Sequence, residues 1–333
     1  MQKLRFGILG CSRIAENSVI PTIVNSNHTE LKIIGSRSRQ KAENFATKFS
    51  CSDFGSYEDV LNSDNIDAVY ISVPTGLHEE WSIKAAKAGK HVLCEKSSTT
   101  SYSSANRMVD VCKENNVRIM EALMFRFHPQ HQKVLELIQN NTLGDVFSFH
   151  GCYGLPKMSY ADIRHNKDLG GGVLNDAACY PVCASRILFQ DEPIAVSCYL
   201  DIDKKSDVDT KVNMCMKYNN SRFATAIVGY DLFYQSTYTI WGNSGMLKLN
   251  RSYSIPSDIN AMMTLNTDKI NEISVGAYNH YLLMIDSFCK EVTGESLCNF
   301  NLENDLLAQA KVMEAARISN KENRSVNVSE IIY

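Results

Sequence analysis

The sequence predicts an α/β fold at its N-terminal end, a parallel sheet wrapped by crossover helices. An α+β half follows, built on a large, open, mainly antiparallel sheet. Three observations carry this reading. From Lys3 to about Met120 short apolar runs alternate with helix-length segments, a glycine-containing turn joins the first run to the first helical pattern, and after Met120 strands follow one another through turn residues. A chain of 333 residues, at roughly 150 residues per domain, implies two domains. The predicted division is 1–122 and 123–333.

The predicted strands of the first domain are the β-branched or apolar runs at 4–9, 31–34, 68–73, 91–94 and 117–120. Between them lie helical patterns at 14–25, 39–49, 79–88 and 101–115, each long enough to cross a sheet face. Right-handed crossovers then gather the loops leaving the strands' carboxyl ends along one edge, where such sheets bind ligands. Further on, a helix at about 130–140 leads through Leu143-Gly144-Asp145 into a strand at 146–153. A polar loop reaches Gly170-Gly171-Gly172 and a helical segment runs to about Phe189. Strands are expected at 195–202, 211–218, 222–229, 237–241 and 246–249, in a stretch that extends to about Leu265. Asn219-Asn220 suits a hairpin and Asn243-Ser244-Gly245 a longer turn. One face of this sheet is expected on helices and the other wet or covered by a partner. A last helix at about 303–318 is expected to pack back on the whole.

Charge and composition exclude several functions. Thirty-four Lys and Arg against 37 Asp and Glu leave a net charge of −3, which provides no field for a polyanion, so no nucleic-acid partner is expected. No apolar run approaches the ~20 residues of a membrane span. The apolar stretch within 1–15 is short and closely followed by Arg13, unlike a secretory signal. Eleven cysteines, an odd number without paired short spacings, read as reduced thiols in a cytoplasm. Cys179, Cys183 and His165 do not complete a tetrahedral set, so no metal is expected.

The first strand runs into Gly10-Cys11-Ser12-Arg13-Ile14-Ala15. A dinucleotide fold needs a tight turn here so that a pyrophosphate can rest on N–H groups at the helix start, around Arg13 and Ile14. Gly10 supplies the turn and Ala15 allows close helix packing. Ser12 stands where the middle glycine usually lies, and its hydroxyl can donate to a phosphate oxygen. The competing reading is a plain strand-to-helix turn. At the end of the second run, Gly35-Ser36-Arg37-Ser38-Arg39 offers no carboxylate for a ribose 2′-hydroxyl. Ser36, Arg37 and Ser38 suit a 2′-phosphate, so NADP(H) is preferred over NAD(H). The alternative is a solvated basic turn.

Four further segments stand at informative places: Ser72-Val73-Pro74-Thr75-Gly76-Leu77-His78, Leu93-Cys94-Glu95-Lys96-Ser97, Glu121-Ala122-Leu123-Met124-Phe125-Arg126-Phe127-His128-Pro129, and Gly170-Gly171-Gly172-Val173-Leu174-Asn175-Asp176-Ala177-Ala178-Cys179-Tyr180-Pro181. In this order and spacing they resemble the glucose-fructose oxidoreductase / inositol dehydrogenase / MocA-like (Gfo/Idh/MocA) family over essentially the whole chain. The resemblance implies a Rossmann domain, a C-terminal α+β domain whose sheet makes homo-oligomer contacts, and NAD(P)-dependent oxidoreduction of CH–OH groups in sugars, cyclitols or nucleotide sugars. It places Glu95-Lys96 in a Glu-Lys-Pro motif and Asp176 and Tyr180 in an Asp-x-x-x-His/Tyr motif. It sets Pro74, Thr75 and His78 beside the nicotinamide ribose, and Phe125-Arg126 near the cofactor's reactive end. Ser97 replaces the usual proline and removes a rigid φ beside Lys96.

Reduction of a ketone builds negative charge on oxygen, so a donor must reach that oxygen. Tyr180 is the candidate acid. Lys96 supplies an ammonium that favours the phenolate, and Asp176, four residues earlier on one helical face, orients the lysine or a substrate hydroxyl. Pro181 interrupts that helix's hydrogen bonding. Lys157, Tyr160, Arg164, His165 and Lys167 concentrate donors in one loop. With Tyr160 and Arg164 joining Lys96, Phe125, Asp176 and Tyr180 as substrate contacts, the expected substrate is a nucleotide-linked keto-sugar. A free sugar, cyclitol or cyclic diol comes second. A non-catalytic NAD(P)-binding regulator and an NAD-dependent glycosidase on the same fold are the alternatives of other classes.

Overall fold

Two sheets organise the chain in the computed structural model, which describes residues 3–295 and 298–333; the first two positions of the opening segment lie outside the described residues. The first sheet has six strands: β1 (Leu4–Leu9), β2 (Thr29–Gly35), β3 (Asp53–Gly55), β4 (Ala68–Ile71), β5 (His91–Cys94) and β6 (Ile119–Glu121). They are all parallel, in the order β3-β2-β1-β4-β5-β6. The order reverses between β1 and β4, the switch point at which open α/β sheets receive ligands. The strands read as unbroken apolar runs because helices cover both faces: Phe6, Ile8, Leu9 and the whole of β4 have no exposed surface.

Helices Arg39–Lys48, His78–Lys87 and Tyr102–Glu114 connect these strands, with Ser38 and Ser101 accepting N-cap bonds at the first and third. Two elements between the second and fourth strands were not predicted. β3 spans three residues, too few to show a period, and the helix Tyr57–Leu61 is a single turn closed by a Ser56–Asp59 capping box.

The second sheet has nine strands: β7 (Val146–Gly154), β8 (Ala195–Ile202), β9 (Asp209–Lys217), β10 (Phe223–Gly229), β11 (Gln235–Gly242), β12 (Met246–Leu249), β13 (Ala261–Asn266), β14 (Ile270–Gly276) and β15 (Val326–Asn327). Their order is β14-β13-β12-β11-β7-β10-β9-β8-β15. Every pair is antiparallel except β7 with β10. Residues alternate as a half-covered sheet demands. Phe149 and Tyr153 of β7, Met214 and Met216 of β9, and Tyr238 and Ile240 of β11 are buried, and helix Cys179–Phe189 packs on β7 and β10. Tyr199, Ile227 and Trp241 are exposed on strands of the same sheet, as is Phe147, whose ring meets Phe223 and Trp241.

The chain forms two compact units, residues up to Met124 with Tyr281–Leu307, and Phe125–His280 with Ala308–Tyr333. The return of Tyr281–Leu307 to the first unit has specific anchors. Phe288 packs on Phe6 at 6.2 Å, Ser26 donates to Asp286 at 2.8 Å, and Glu303 accepts from Arg118 Nε at 2.7 Å and from the Ile119 N–H at 3.3 Å. Helix His280–Val292, which opens this segment, was not predicted. The last helix runs Leu302–Glu322. Among the described residues no helix is long and apolar enough to cross a membrane.

Buried histidines make stability depend on pH. Burial lowers His78, His128 and His280 to about 4 and His131 to about 3. Between those values and the unfolded value near 6.5 the folded chain binds fewer protons than the unfolded one, so stability is lost as pH falls through that window. Each such histidine adds a slope approaching ~1.4 kcal/mol per pH unit. The urea midpoint is expected to drop steadily from pH 6.5 to pH 5, above the carboxylate range; a constant midpoint there would contradict this.

Candidate active site

In the first unit, the strand ends of β1, β2 and β4 meet around Gly10. Its φ is +110°, and a Cβ there would lie 3.0 Å from the Ser72 carbonyl carbon, so only glycine fits. The Gly10 N–H donates to Gly35 at 3.1 Å, and Ser72 Oγ donates to the Gly10 carbonyl at 2.8 Å. Ser12 Oγ accepts from the Ala15 N–H at 3.1 Å, capping the wide π-type turn Ala15–Val19 that opens the first helix. Its hydroxyl proton remains a donor of its own. Arg13 is exposed and Ile14 half-buried at that helix start.

At the end of β2, Ser36 is buried and accepts from the Ser38 N–H at 3.2 Å, while Ser38 caps the following helix. Arg37 is exposed and faces Tyr57, and Arg39 lies over the Phe54 ring at 5.3 Å. These residues fit a dinucleotide carrying a 2′-phosphate. A glycine turn leads into a helical start, and the second strand ends in cations and hydroxyls rather than a carboxylate. Tyr57 was missed in the sequence because it belongs to the unpredicted single-turn helix.

After β4, Pro74 leads into the tight turn Thr75–Leu77. His78 is buried, with Nε2 2.8 Å from the Val73 carbonyl and Nδ1 3.0 Å from the Ser97 carbonyl. Burial keeps this ring neutral near pH 7, so its single N–H donates to one of the two carbonyls and the ring packs between two strand-end loops rather than trading protons. After β5, Glu95 accepts from Tyr70 Oη at 2.6 Å and from the Lys96 N–H at 3.2 Å, and Glu121 accepts from the Ser98 N–H at 2.8 Å. The Lys96–Ser97 peptide is cis. Glu95 and Glu121 accept hydrogen bonds from the backbone on both sides of the Lys96–Ser97 peptide, where the ring of a proline is missing.

In the second unit, Tyr180 is 5% exposed, and its ring meets Tyr153 at 5.3 Å, Tyr253 at 5.6 Å and Phe125 at 5.7 Å. Arg126 follows Phe125, half-buried in the short turn Met124–Phe127. The predicted single regular helix carrying Asp176 and Tyr180 is replaced by a π-type turn, Leu174–Ala178, followed by helix Cys179–Phe189. Pro181, with no N–H to give, falls just after the wide turn, where a regular backbone bond would otherwise be lost.

The turn is clamped from outside. Asp209 at the start of β9 accepts from the Leu174 N–H at 2.5 Å. A Cβ on Gly172 would lie 2.2 Å from Asp209 Oδ1. Asp176 Oδ2 accepts from Arg164 Nε at 2.7 Å and from Tyr230 Oη at 3.3 Å. Tyr160 is turned elsewhere: its hydroxyl donates to Asp203 at 3.3 Å, Lys205 lies 4.0 Å over its ring, and it meets His165 at 4.8 Å. The structure therefore joins Phe125 to Tyr180 and Arg164 to Asp176. Tyr153, Tyr230 and Asp209 were not singled out in the sequence, although each stands at the end of a predicted strand or just outside one. No group of three or more metal-type ligands occurs among the described residues.

A six-stranded parallel sheet with a glycine turn at its switch point, joined in one chain to a second unit bearing a caged tyrosine, defines a dinucleotide-binding oxidoreductase. Residues 4–123 match the model of the oxidoreductase family with an NAD-binding Rossmann fold, and residues 131–248 match the GFO/IDH/MocA C-terminal domain. The chain belongs to the Gfo/Idh/MocA oxidoreductase family. It is 30% identical to a dTDP-3,4-didehydro-2,6-dideoxy-alpha-D-glucose 3-reductase of Actinomadura kijaniata, covering 96% of both chains. It is 34% identical to a D-xylose 1-dehydrogenase (NADP(+)) of Haloferax volcanii, covering 88% of this chain and 90% of that one. Its fold superposes with a TM-score of 0.92 and 30% identity on the crystal structure of KijD10, a 3-ketoreductase from Actinomadura kijaniata in complex with NADP and TDP-benzene, covering 96% and 98% of the two chains.

Proposed function

We propose that the protein is an NADPH-dependent reductase of a keto group on a nucleotide-linked deoxy-sugar. NADPH, when bound, supplies the hydride to the carbonyl carbon. Gly10, Ser12, Arg13 and Ile14 hold the pyrophosphate, and Ser36, Arg37 and Ser38 the 2′-phosphate. Pro74, Thr75, His78, Glu95, Lys96 and Arg126 shape the nicotinamide end. Tyr180 gives its phenolic proton to the carbonyl oxygen, leaving a phenolate that solvent reprotonates, and the Lys96 ammonium favours that phenolate. Phe125, beside Tyr180, contributes a substrate contact.

The observation that carries this reading is the fixed Tyr180. Three aromatic rings hold it in place, and a carboxylate under bonds from Arg164 and Tyr230 sits one turn away, an arrangement that a sensor of the cofactor would not need. The likeness to the 3-reductase supports the substrate class. The xylose dehydrogenase, at slightly higher identity, favours oxidation of a free aldose as the second reading. Following NADPH oxidation with dTDP-linked keto-sugars, and NADP+ reduction with free aldoses, separates the two. Turnover with dTDP-linked keto-sugars alone is expected, and turnover with aldoses alone would reverse the assignment.

The exposed apolar side chains of the nine-stranded sheet, among them Phe147, Tyr199, Ile227 and Trp241, suit a second copy of the chain as partner. None of the eleven cysteines forms a disulfide, in keeping with a reducing cytoplasm.

A further inference from the structure

We propose that Arg164 and Tyr230 are positioning residues of this reaction, holding the Asp176 carboxylate ionised and in one orientation within the turn that leads into the helix carrying Tyr180. The inference rests on the reading of Asp176 and Tyr180 as reaction machinery. Two other segments of the chain converge on one oxygen, Asp176 Oδ2, which accepts from Arg164 Nε at 2.7 Å and Tyr230 Oη at 3.3 Å.

Arg164 is itself held. Its Nη1 donates to Asp162 at 3.2 Å, its backbone N–H donates to the same carboxylate at 3.1 Å, and its carbonyl accepts from the Gly172 N–H at 2.9 Å. The three glycines make this approach possible. Gly170 has φ +78°, a Cβ on Gly171 would lie 2.5 Å from the Arg164 carbonyl oxygen, and one on Gly172 would strike Asp209. The Asp176 side chain is 16% exposed and that of Arg164 33%, so water screens the pair only in part. Burial and the Asp176 charge hold the Tyr230 hydroxyl protonated, and it can only donate to the carboxylate. A carboxylate fixed by a permanent cation and a neutral donor stays ionised and keeps one direction for accepting a substrate hydroxyl. Charged and titratable groups that face its two donors include Asp162 beside Arg164 and Asp209 beside Tyr230, with His165 stacked on Tyr230 at 5.7 Å.

The test compares R164Q, R164K, Y230F, D176N and the double variant R164Q/D176N. R164Q is expected to lower kcat roughly 10- to 100-fold with an unchanged KM for NADPH, R164K to recover part of the loss, and Y230F to lose less. In the D176N background R164Q should cost almost nothing further, because its effect runs through Asp176. Independently of turnover, carboxyl-carbon NMR of aspartate-labelled protein, with the Asp176 signal assigned by its loss in D176N, should show Asp176 titrating at higher pH in R164Q than in the parent. Y230F supplies the same comparison should R164Q not fold. Additive losses in the double variant, or an Asp176 titration that neither substitution moves, would overturn the inference. An enzyme that reduces no keto-sugar would instead sink the proposed function, with the titration still deciding the clamp.

Discussion

Exchanging Tyr180 for Phe is expected to lower kcat by roughly 10²- to 10⁴-fold, the usual worth of a positioned general acid, with NADPH affinity unchanged. The substitution is a clean one. Phe125, Tyr153 and Tyr253 pack against the ring, which phenylalanine keeps, so the cage survives and only the hydroxyl goes. The cofactor residues named in the Rossmann unit lie elsewhere in the chain. Steady-state turnover with a dTDP-linked keto-sugar, read beside NADPH fluorescence titration, measures the two quantities separately. Turnover within a few-fold of the parent would remove Tyr180 from the chemistry. Loss of NADPH binding in parallel would instead point to a structural role for the hydroxyl.

Replacing Arg37 by Ala is expected to weaken NADPH binding by roughly 10- to 100-fold, since hydrogen bonds to charged groups contribute about 1.5–3 kcal/mol, and to leave NADH binding nearly as it was. Arg37 is exposed beyond β2, and nothing in the sheet depends on it. Its neighbour Tyr57 stays protonated at neutral pH because burial pushes its hydroxyl up, so no anion forms there to oppose a phosphate. The ratio of NADPH to NADH dissociation constants is the sensitive measurement. An unchanged ratio would make the β2 end a solvated turn and place the 2′-phosphate elsewhere.

Local periodicity explains how much of this could be read in advance. β1, β5, β8 and β12 were predicted to the residue, because each is an apolar or alternating run bounded by turn residues. β3 and the helix Tyr57–Leu61 escaped because three or five residues cannot establish a period. Helix His280–Val292 was missed although its anchors are plain in space: Phe288 on Phe6 and Asp286 beneath Ser26 pair positions more than 250 residues apart, which a window along the chain never compares. The same limit applies to the site. Asp176 and Tyr180 stand out in a short motif, whereas Tyr230 and Asp209 become visible only when β9 and β10 fold beside the turn they support. Arg164 illustrates a subtler gap. Its cationic character was legible, but its bond to Asp176 depends on how closely Gly171 lets its backbone approach that of Arg164.

The contact between Gly172 and Asp209 couples two positions that cannot drift separately. Any side chain at 172 would collide with the carboxylate, and loss of that carboxylate would strip the Leu174 amide of its acceptor. Descendants of this gene that acquire bulk at the first site should therefore show a smaller or differently shaped residue at the second. That paired inheritance would be a genealogical mark of the turn ahead of the tyrosine, readable in sequences alone.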